Sequence, residues 1–303
     1  MRRERSSENS VIARIVTKGT GESAGLVLGI GDDCAVFRPA EDEDLVFTTD
    51  LFLEDRHFRR TDHSAGSAGH KTLARGLSDL AAMGASPRFC LLSLALPDWA
   101  DDAWIDEFLD GFLALARRAG IPLAGGDLAR QERFAADIVA CGGVPRGLAL
   151  RRSGAQAGDW IYVSGQLGGA ALGLESGTGA AWERHLRPEP RLDLGCQLRT
   201  WGATAAIDVS DGLALDLHRL CLASGVAAVL DGIPLFPGAS LQQALHGGDD
   251  YELVFTLPAP LSICALGDLP LTCIGRIRNG EPGTMSLGGQ ALVPAGYDHF
   301  QTP

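Results

Sequence analysis

Six short stretches place aspartates at the ends of apolar runs, usually beside glycine or serine: "GIGDDCAVF" (29–37), "FTTDLFLEDRHF" (47–58), "LSDLAAMGASP" (77–87), "LAGGDLAR" (123–130), "AIDVSDGLALDL" (206–217) and "HGGDDYELVF" (246–255). One such stretch is an ordinary turn, because an Asp side chain readily bonds nearby backbone amides. Six with the same grammar suggest oxygen ligands carried on loops that leave rigid strands. Many carboxylates with few nitrogen or sulfur donors describe a site for a hard cation, Mg²⁺ first among them. Several such ions orient a polyphosphate and neutralise its charge, which is the chemistry of phosphoryl transfer.

Other chemistries lack their residues. "AGHKTL" (68–73) has His70 between the glycine and the lysine, so the usual phosphate-cradling loop is missing, and "GIGDDC" carries Cys34 where a dinucleotide fingerprint needs its third glycine. No H-E-x-x-H, H-R-D or D-F-G occurs. The formal charge of −12 argues against nucleic acid or an anionic membrane as partner, whereas a phosphorylated small molecule can bind through cations. Seven cysteines without a C-x-x-C pair, mostly inside apolar runs, read as buried, reduced thiols of a cytoplasmic protein. The basic amino terminus precedes no apolar signal segment, and no run approaches the ~20 apolar residues of a membrane helix. A soluble protein is expected.

The elements that must position these aspartates are short. Strand-like runs occur at 45–52, 88–97, 134–144, 159–165, 205–210, 226–232 and 251–257. Helical spacing of Leu73, Leu77, Leu80 and Ala81 marks a helix over 70–83, ended by Gly84 and Pro87. Another spans about 101–119, with an acidic first turn, Arg117 and Arg118 in its last turn and Gly120 beyond. A third covers 212–224, where Asp208 or Asp211 could serve as N-cap. Mixed strands and helices over 303 residues give an α/β (α+β) chain of two domains, 1–147 and 148–303, joined through the Gly-rich, polar segment 147–159. Glycine, at 39 residues, is well above the usual share of about 7%, as tight turns and close ligand approach require.

Taken in order, "GIGDDCAVF", "TTDLFLEDRHF", "LSDLAAMGASP", "GGDLAR", "SGAQAGDWIYVSG", "HLRPEPR", "AIDVSDGL", "GGDDYEL" and the terminal "GYDHF" resemble the thiamine-monophosphate kinases, within the aminoimidazole ribonucleotide synthetase-like superfamily. The resemblance spans nearly the whole chain. It implies transfer of the γ-phosphate of ATP directly to the phosphate of thiamine monophosphate, giving thiamine diphosphate. The implied fold is a first domain that binds ATP and Mg²⁺ and dimerises through its sheet, and a second α/β domain that completes the nucleotide and substrate sites. Mg²⁺ ligation carries over to Asp33, Thr48, Thr49, Asp50, Asp79, Asp127, Asp208 and Asp211, with Asp33, Asp127 and Asp211 closest to catalysis and a monovalent cation as a further cofactor. Arg152 and Ser210 match nucleotide-contacting positions, and His57 and Asp249 match substrate-contacting ones. Asp32 stays a turn-former, and Lys71 and Arg75 are assigned to pairing along their helix, where Arg75 and Asp79 stand four apart.

Three departures bear on acceptor affinity. Leu128 and Ala129 replace two threonines common before the Arg of the Gly-Gly-Asp loop, Pro294 stands where an aromatic is common before "GYDHF", and Asp249 is shorter than the Glu often found there. Stacking on the substrate then either falls to Tyr297 or Phe300 or is weaker. Two alternatives remain: another ATP-dependent enzyme of the superfamily with a different phosphorylated substrate, and a non-catalytic, metal-dependent nucleotide-binding regulator.

Overall fold

The computed structural model describes residues 7–19, 21–298 and 300, and the chain divides into two compact units. The first unit holds residues up to Leu80 and Ser86–Gly147; Ala81–Ala85 cluster with the second, which continues from Leu148.

In the first unit the order is α1 (Glu8–Lys18), β1 (Leu26–Leu28), β2 (Val36–Phe37), β3 (Glu43–Leu53), α2 (Ala65–Ala82), β4 (Ser86–Leu96), α3 (Asp102–Ala119), β5 (Leu123–Arg130) and β6 (Ala135–Pro145). Four strands form one sheet in the order β3-β6-β4-β5, antiparallel except for β4 with β5. Their two faces differ. Phe52, Cys90, Leu92, Leu94, Ile138 and Ala140 are buried on the side of α2, whose Gly76 lies against Ile138 and Ala140. On the other face Phe47 and Leu51 of β3 are 61% and 56% exposed, beside half-buried Leu91 and Val139.

The helices follow their sequence signals. Asp101 caps α3 by accepting from the Trp104 amide (3.1 Å), and Gly120 ends it in the left-handed conformation. α2 begins at Ala65, five residues ahead of the sequence expectation. Two glycines in its first turns obscured that start; they are there because α3 crosses closely, and a Cβ at Gly69 would fall 1.9 Å from the Phe108 carbonyl oxygen.

The second unit runs β7 (Trp160–Ser164), α4 (Gly169–Ser176), α5 (Gly179–Leu186), α6 (Leu192–Thr200), β8 (Ala205–Val209), α7 (Leu213–Ser224), β9 (Ala227–Leu230), α8 (Leu241–His246), β10 (Glu252–Leu257), β11 (Ala265–Leu266), β12 (Leu269–Arg278), β13 (Met285–Leu287) and β14 (Gln290–Ala291). Its sheet has the order β14-β13-β9-β12-β7-β10-β8, with β11 beside β12. Both faces are covered. Ile161, Val163, Ile207, Val209 and Val254 pack with Leu213, Leu217 and Leu220 of α7, while Tyr162, Ala206, Leu253 and Phe255 pack with Leu194 and Leu198 of α6. Burial on both sides explains why these strands read as unbroken apolar runs. Among the described residues no helix is long and apolar enough to cross a membrane.

Candidate functional site

In the first unit β3 carries "TTD" across two faces, because neighbouring residues of a strand point to opposite sides. Thr48 and Asp50 face α2. The Thr48 hydroxyl donates to Asp79 Oδ2 of α2, and Arg75, one turn earlier on that helix, donates from Nη2 to Asp50 Oδ1 at 2.5 Å. Thr49 points the other way and donates to Asp137 Oδ1 of β6 at 2.8 Å. Asp127 of β5 falls in the row Leu51–Asp137–Ser93–Asp127 across the sheet, the row next to Thr49. Apart from Asp33, the expected ligands of this unit therefore fall into one group under α2 and another along the open face. Arg75 reaches a strand carboxylate, a role beyond pairing along its own helix, and Lys71 is wholly buried, so neither is a solvated surface cation.

Asp33 is exposed, and its amide donates to Asp32 Oδ1 at 2.8 Å, so Asp32 shapes the turn as expected. His57 sits in the turn after β3. Its Nδ1 accepts from the Leu53 amide at 2.9 Å, and a neutral ring must then carry its hydrogen on Nε2 as a donor. Phe52 stacks on that ring with centroids 5.9 Å apart. Nearby His63 is held neutral, its pKa lowered to about 4 by burial and then by Lys71.

In the second unit β8 ends at Val209 and the turn Ser210–Gly212 leads into α7. Gly212 is the N-cap, with φ +116° and no side-chain capping bond, so neither Asp208 nor Asp211 caps this helix. The turn is shaped from inside α7. Buried Asp216 accepts from the amides of Ser210 (3.0 Å) and Asp211 (2.9 Å) through Oδ2, while Arg219 Nη1 donates to Asp216 Oδ1 (2.8 Å) and Asp211 Oδ2 (2.6 Å). Burial pushes the Asp216 pKa up to about 6 against the pull of the Asp211 amide and of Arg219. Asp208 is buried within β8, in register with Leu253.

Asp249 is brought to the same turn, its amide donating to the Ser210 carbonyl at 2.8 Å. Tyr251 donates its hydroxyl to Asp249 Oδ1 (2.9 Å), and His185 Nδ1 lies 3.9 Å from Oδ2. The tail joins them through the Tyr297 amide, which donates to the Asp211 carbonyl (2.9 Å); the Tyr297 and Phe300 side chains are exposed, and His299 of "GYDHF" lies outside the described residues. Arg152 is placed elsewhere. Its carbonyl accepts from Ser224 Oγ (2.9 Å) at the far end of α7, about 18 Å from Ser210 by the helical rise.

Asp137, Asp216 and Arg219 escaped the sequence reading. The i, i+3 spacing of Asp216 and Arg219 was a local signal; Asp137 meets Thr49 across 88 positions, and only strand pairing reveals it.

The donor set suits Mg²⁺, being oxygen throughout. Among the described residues no three His, Cys, Asp or Glu side chains are gathered closely enough to hold an ion by themselves. Mg²⁺ tolerates such an arrangement, since it commonly takes one or two carboxylates and completes its shell with water and substrate phosphate.

The two-unit α/β fold is that of the AIR synthase-related proteins, and residues 31–144 match the family "AIR synthase related protein, N-terminal domain". Within that class the chain belongs to the thiamine-monophosphate kinase family, and it is a kinase. It is 39% identical to the thiamine-monophosphate kinase of Escherichia coli K12, over 98% of this chain and 99% of that one. The crystal structure of thiamine-monophosphate kinase from Stenotrophomonas maltophilia K279a superposes with a TM-score of 0.82 at 41% identity, covering 94% and 96% of the two chains. AaThiL complexed with AMPPCP and TMP superposes at 0.79 with 28% identity over 97% of each.

Proposed function

We propose that this kinase phosphorylates thiamine monophosphate to thiamine diphosphate with ATP as donor and Mg²⁺ as cofactor. The end-to-end match to thiamine-monophosphate kinases carries the reading. An oxygen of the acceptor phosphate attacks the γ-phosphorus of ATP, a new phosphoanhydride bond forms, and the bond to ADP breaks. The acceptor oxygen is already anionic, so no strong base is needed. Catalysis is then mostly positioning and charge stabilisation.

The residues have roles that suit this chemistry. His57 is assigned to the acceptor phosphate. Asp249 offers a carboxylate to the cationic thiazolium ring. Ser210 and Arg152 are assigned to the nucleotide. Asp33, Asp79, Asp127, Asp208 and Asp211 are assigned to Mg²⁺, with Thr48, Thr49 and Asp50 as further donors; the two hydroxyls give their hydrogens to Asp79 and Asp137 and keep oxygen lone pairs for that role. Bound Mg²⁺ would supply charge neutralisation for the transferring phosphoryl group. Asp216 and Arg219 orient the Ser210–Asp211 turn.

We further propose a cytoplasmic homodimer, with unit 1–147 carrying ATP, Mg²⁺ and the dimer contact and unit 148–303 completing the nucleotide and substrate sites. Phe47 and Leu51 on the open face of the first sheet support the association, and seven cysteines without a disulfide suit a reducing compartment, although only Cys90, Cys141 and Cys221 are buried as the apolar runs around them suggested.

Incubation with Mg-ATP and thiamine monophosphate should yield thiamine diphosphate by mass spectrometry; none at saturating substrates would refute the reading. Thiamine, which lacks the attacking phosphate, should be a poor acceptor. A kcat/KM for thiamine comparable to that for its monophosphate would count against direct attack by the acceptor phosphate.

A further inference from the structure

The loop before β10 contains two non-glycine residues with left-handed backbones, Asp249 (φ +68°) and Tyr251 (φ +50°). L residues avoid this region, and a bulky aromatic avoids it strongly. Such a conformation persists only where its surroundings over-determine it. Here the alternate residues, Asp250 and Glu252, are buried and anchored.

Asp250 accepts from the amides of Gly168 (2.5 Å) and Ala170 (3.1 Å) at the start of α4. Glu252 accepts from Ser164 Oγ (2.5 Å), from Arg191 Nε (2.8 Å) and Nη2 (2.6 Å), and from Arg184 Nη2 (2.5 Å). Arg184, on α5, engages both anchors, since Nη2 also donates to the Asp250 carbonyl (3.3 Å) and Nε lies 3.7 Å from Asp250 Oδ1. Space is reserved for this arrangement. A Cβ at Gly165 would fall 2.1 Å from Glu252 Oε1, and one at Gly169 would fall 2.7 Å from Arg184 Cδ.

We propose that Arg184 is a positioning residue: by tying the Asp250 carbonyl and the Glu252 carboxylate to α5, it holds Asp249 and Tyr251 in the left-handed form and thereby sets affinity for the acceptor. The inference rests on the assignment of Asp249 to the thiamine monophosphate site. Arg184 acts through that turn and touches no reacting atom.

A purely structural ion cluster would contribute to stability alone, so the test separates the two roles. Removing Arg184 by itself leaves buried acid uncompensated and threatens folding. The double variant Arg184→Met/Glu252→Gln removes one charge of each sign, and Arg184→Lys keeps the charge but loses the fork that serves both anchors. Each is made in the full-length chain. Measurements are Tm, kcat, KM for ATP and for thiamine monophosphate, and amide hydrogen exchange of a peptide spanning 247–253.

The double variant should raise KM for thiamine monophosphate about tenfold or more, hold kcat and KM for ATP within about threefold, and speed exchange in the loop. Arg184→Lys should fall between it and wild type, and it supplies the result if the double variant does not fold. Unchanged exchange overturns the proposal. So do losses in kcat and both KM values that merely track a lower Tm. If the wild-type enzyme makes no thiamine diphosphate, the substrate assignment fails and with it the link to acceptor affinity, whereas the exchange result still decides whether Arg184 holds the turn.

Discussion

If the open face of the first sheet is the dimer contact, charging it should dissociate the protein, and the double variant Phe47→Asp/Leu51→Asp is the direct perturbation. Full burial of a Phe or Leu side chain contributes about 1.5–3 kcal/mol. With 61% of Phe47 and 56% of Leu51 still exposed, covering what remains contributes about 1–2 kcal/mol per residue. A twofold interface uses each residue twice, so the four side chains together contribute about 5 kcal/mol, or between 10³- and 10⁴-fold in dissociation constant. Desolvating the new carboxylates adds to that, so the value is a lower bound. Sedimentation velocity across a concentration series reads the constant directly. Leu174→Asp, at a residue 45% exposed in the other unit, is the control and should leave association unchanged. Because the substituted side chains face solvent within one chain, Tm of the isolated chain should move little. A double variant that dimerises as tightly as wild type, a wild-type protein that is monomeric at micromolar concentration, or a control that dissociates equally would refute the reasoning.

Asp33→Asn removes one negative charge from the proposed cation site and should lower the rate by roughly 10²–10³-fold, with partial recovery at high Mg²⁺, whereas Asp32→Asn keeps an acceptor for the Asp33 amide and should change kcat/KM only a few-fold; a Mg²⁺ titration of both variants that finds equal defects would exclude the assignment. Asp250 has its pKa raised by burial from 3.8 to about 6, although Arg184 and the Gly168 and Ala170 amides pull against the rise. Folding thus favours its protonated form, so its stabilising contribution is fully present below about pH 4 and is lost as pH rises through about 6. Relative to Asp250→Asn, wild type should lose about 3 kcal/mol over that range. Denaturant melts at pH 4 and pH 7 measure the difference, and a gap that is constant or of opposite sign would contradict the burial argument.

What could be read from the chain followed locality. The caps of α3 were written in Asp101 and Gly120, and β7, β8 and β10 in apolar runs long enough to be buried on both faces. β5 was hidden, because "AGGD" has the composition of a loop and becomes strand only by pairing with β4, some thirty positions earlier. The segment 169–200 was equally opaque; its three helices are short and interrupted by Gly and Pro. Motif residues marked the candidate site, but their partners came from elsewhere in the chain: Asp50 meets Arg75, Thr49 meets Asp137 and Glu252 meets Arg184. The splitting of "TTD" between two faces was implicit in strand alternation, although the motif presents its three residues as one ligand group.

Strand β3 pairs with β6 at every position from Glu43↔Pro145 to Leu53↔Ala135, with no bulge to take up an extra residue. Deleting or inserting one residue upstream of Phe47, with the pairing kept, would turn the strand over. Thr48 and Asp50 would then look outward, and Phe47 and Leu51 would press against α2. One frame change would thus remove ligands from beneath the helix and the apolar side chains of β3 from the open face together, a double loss that no point substitution in the strand can produce. Divergence along this segment is therefore constrained in its spacing more tightly than in its spelling, and gaps in related chains should fall in the turns that flank it.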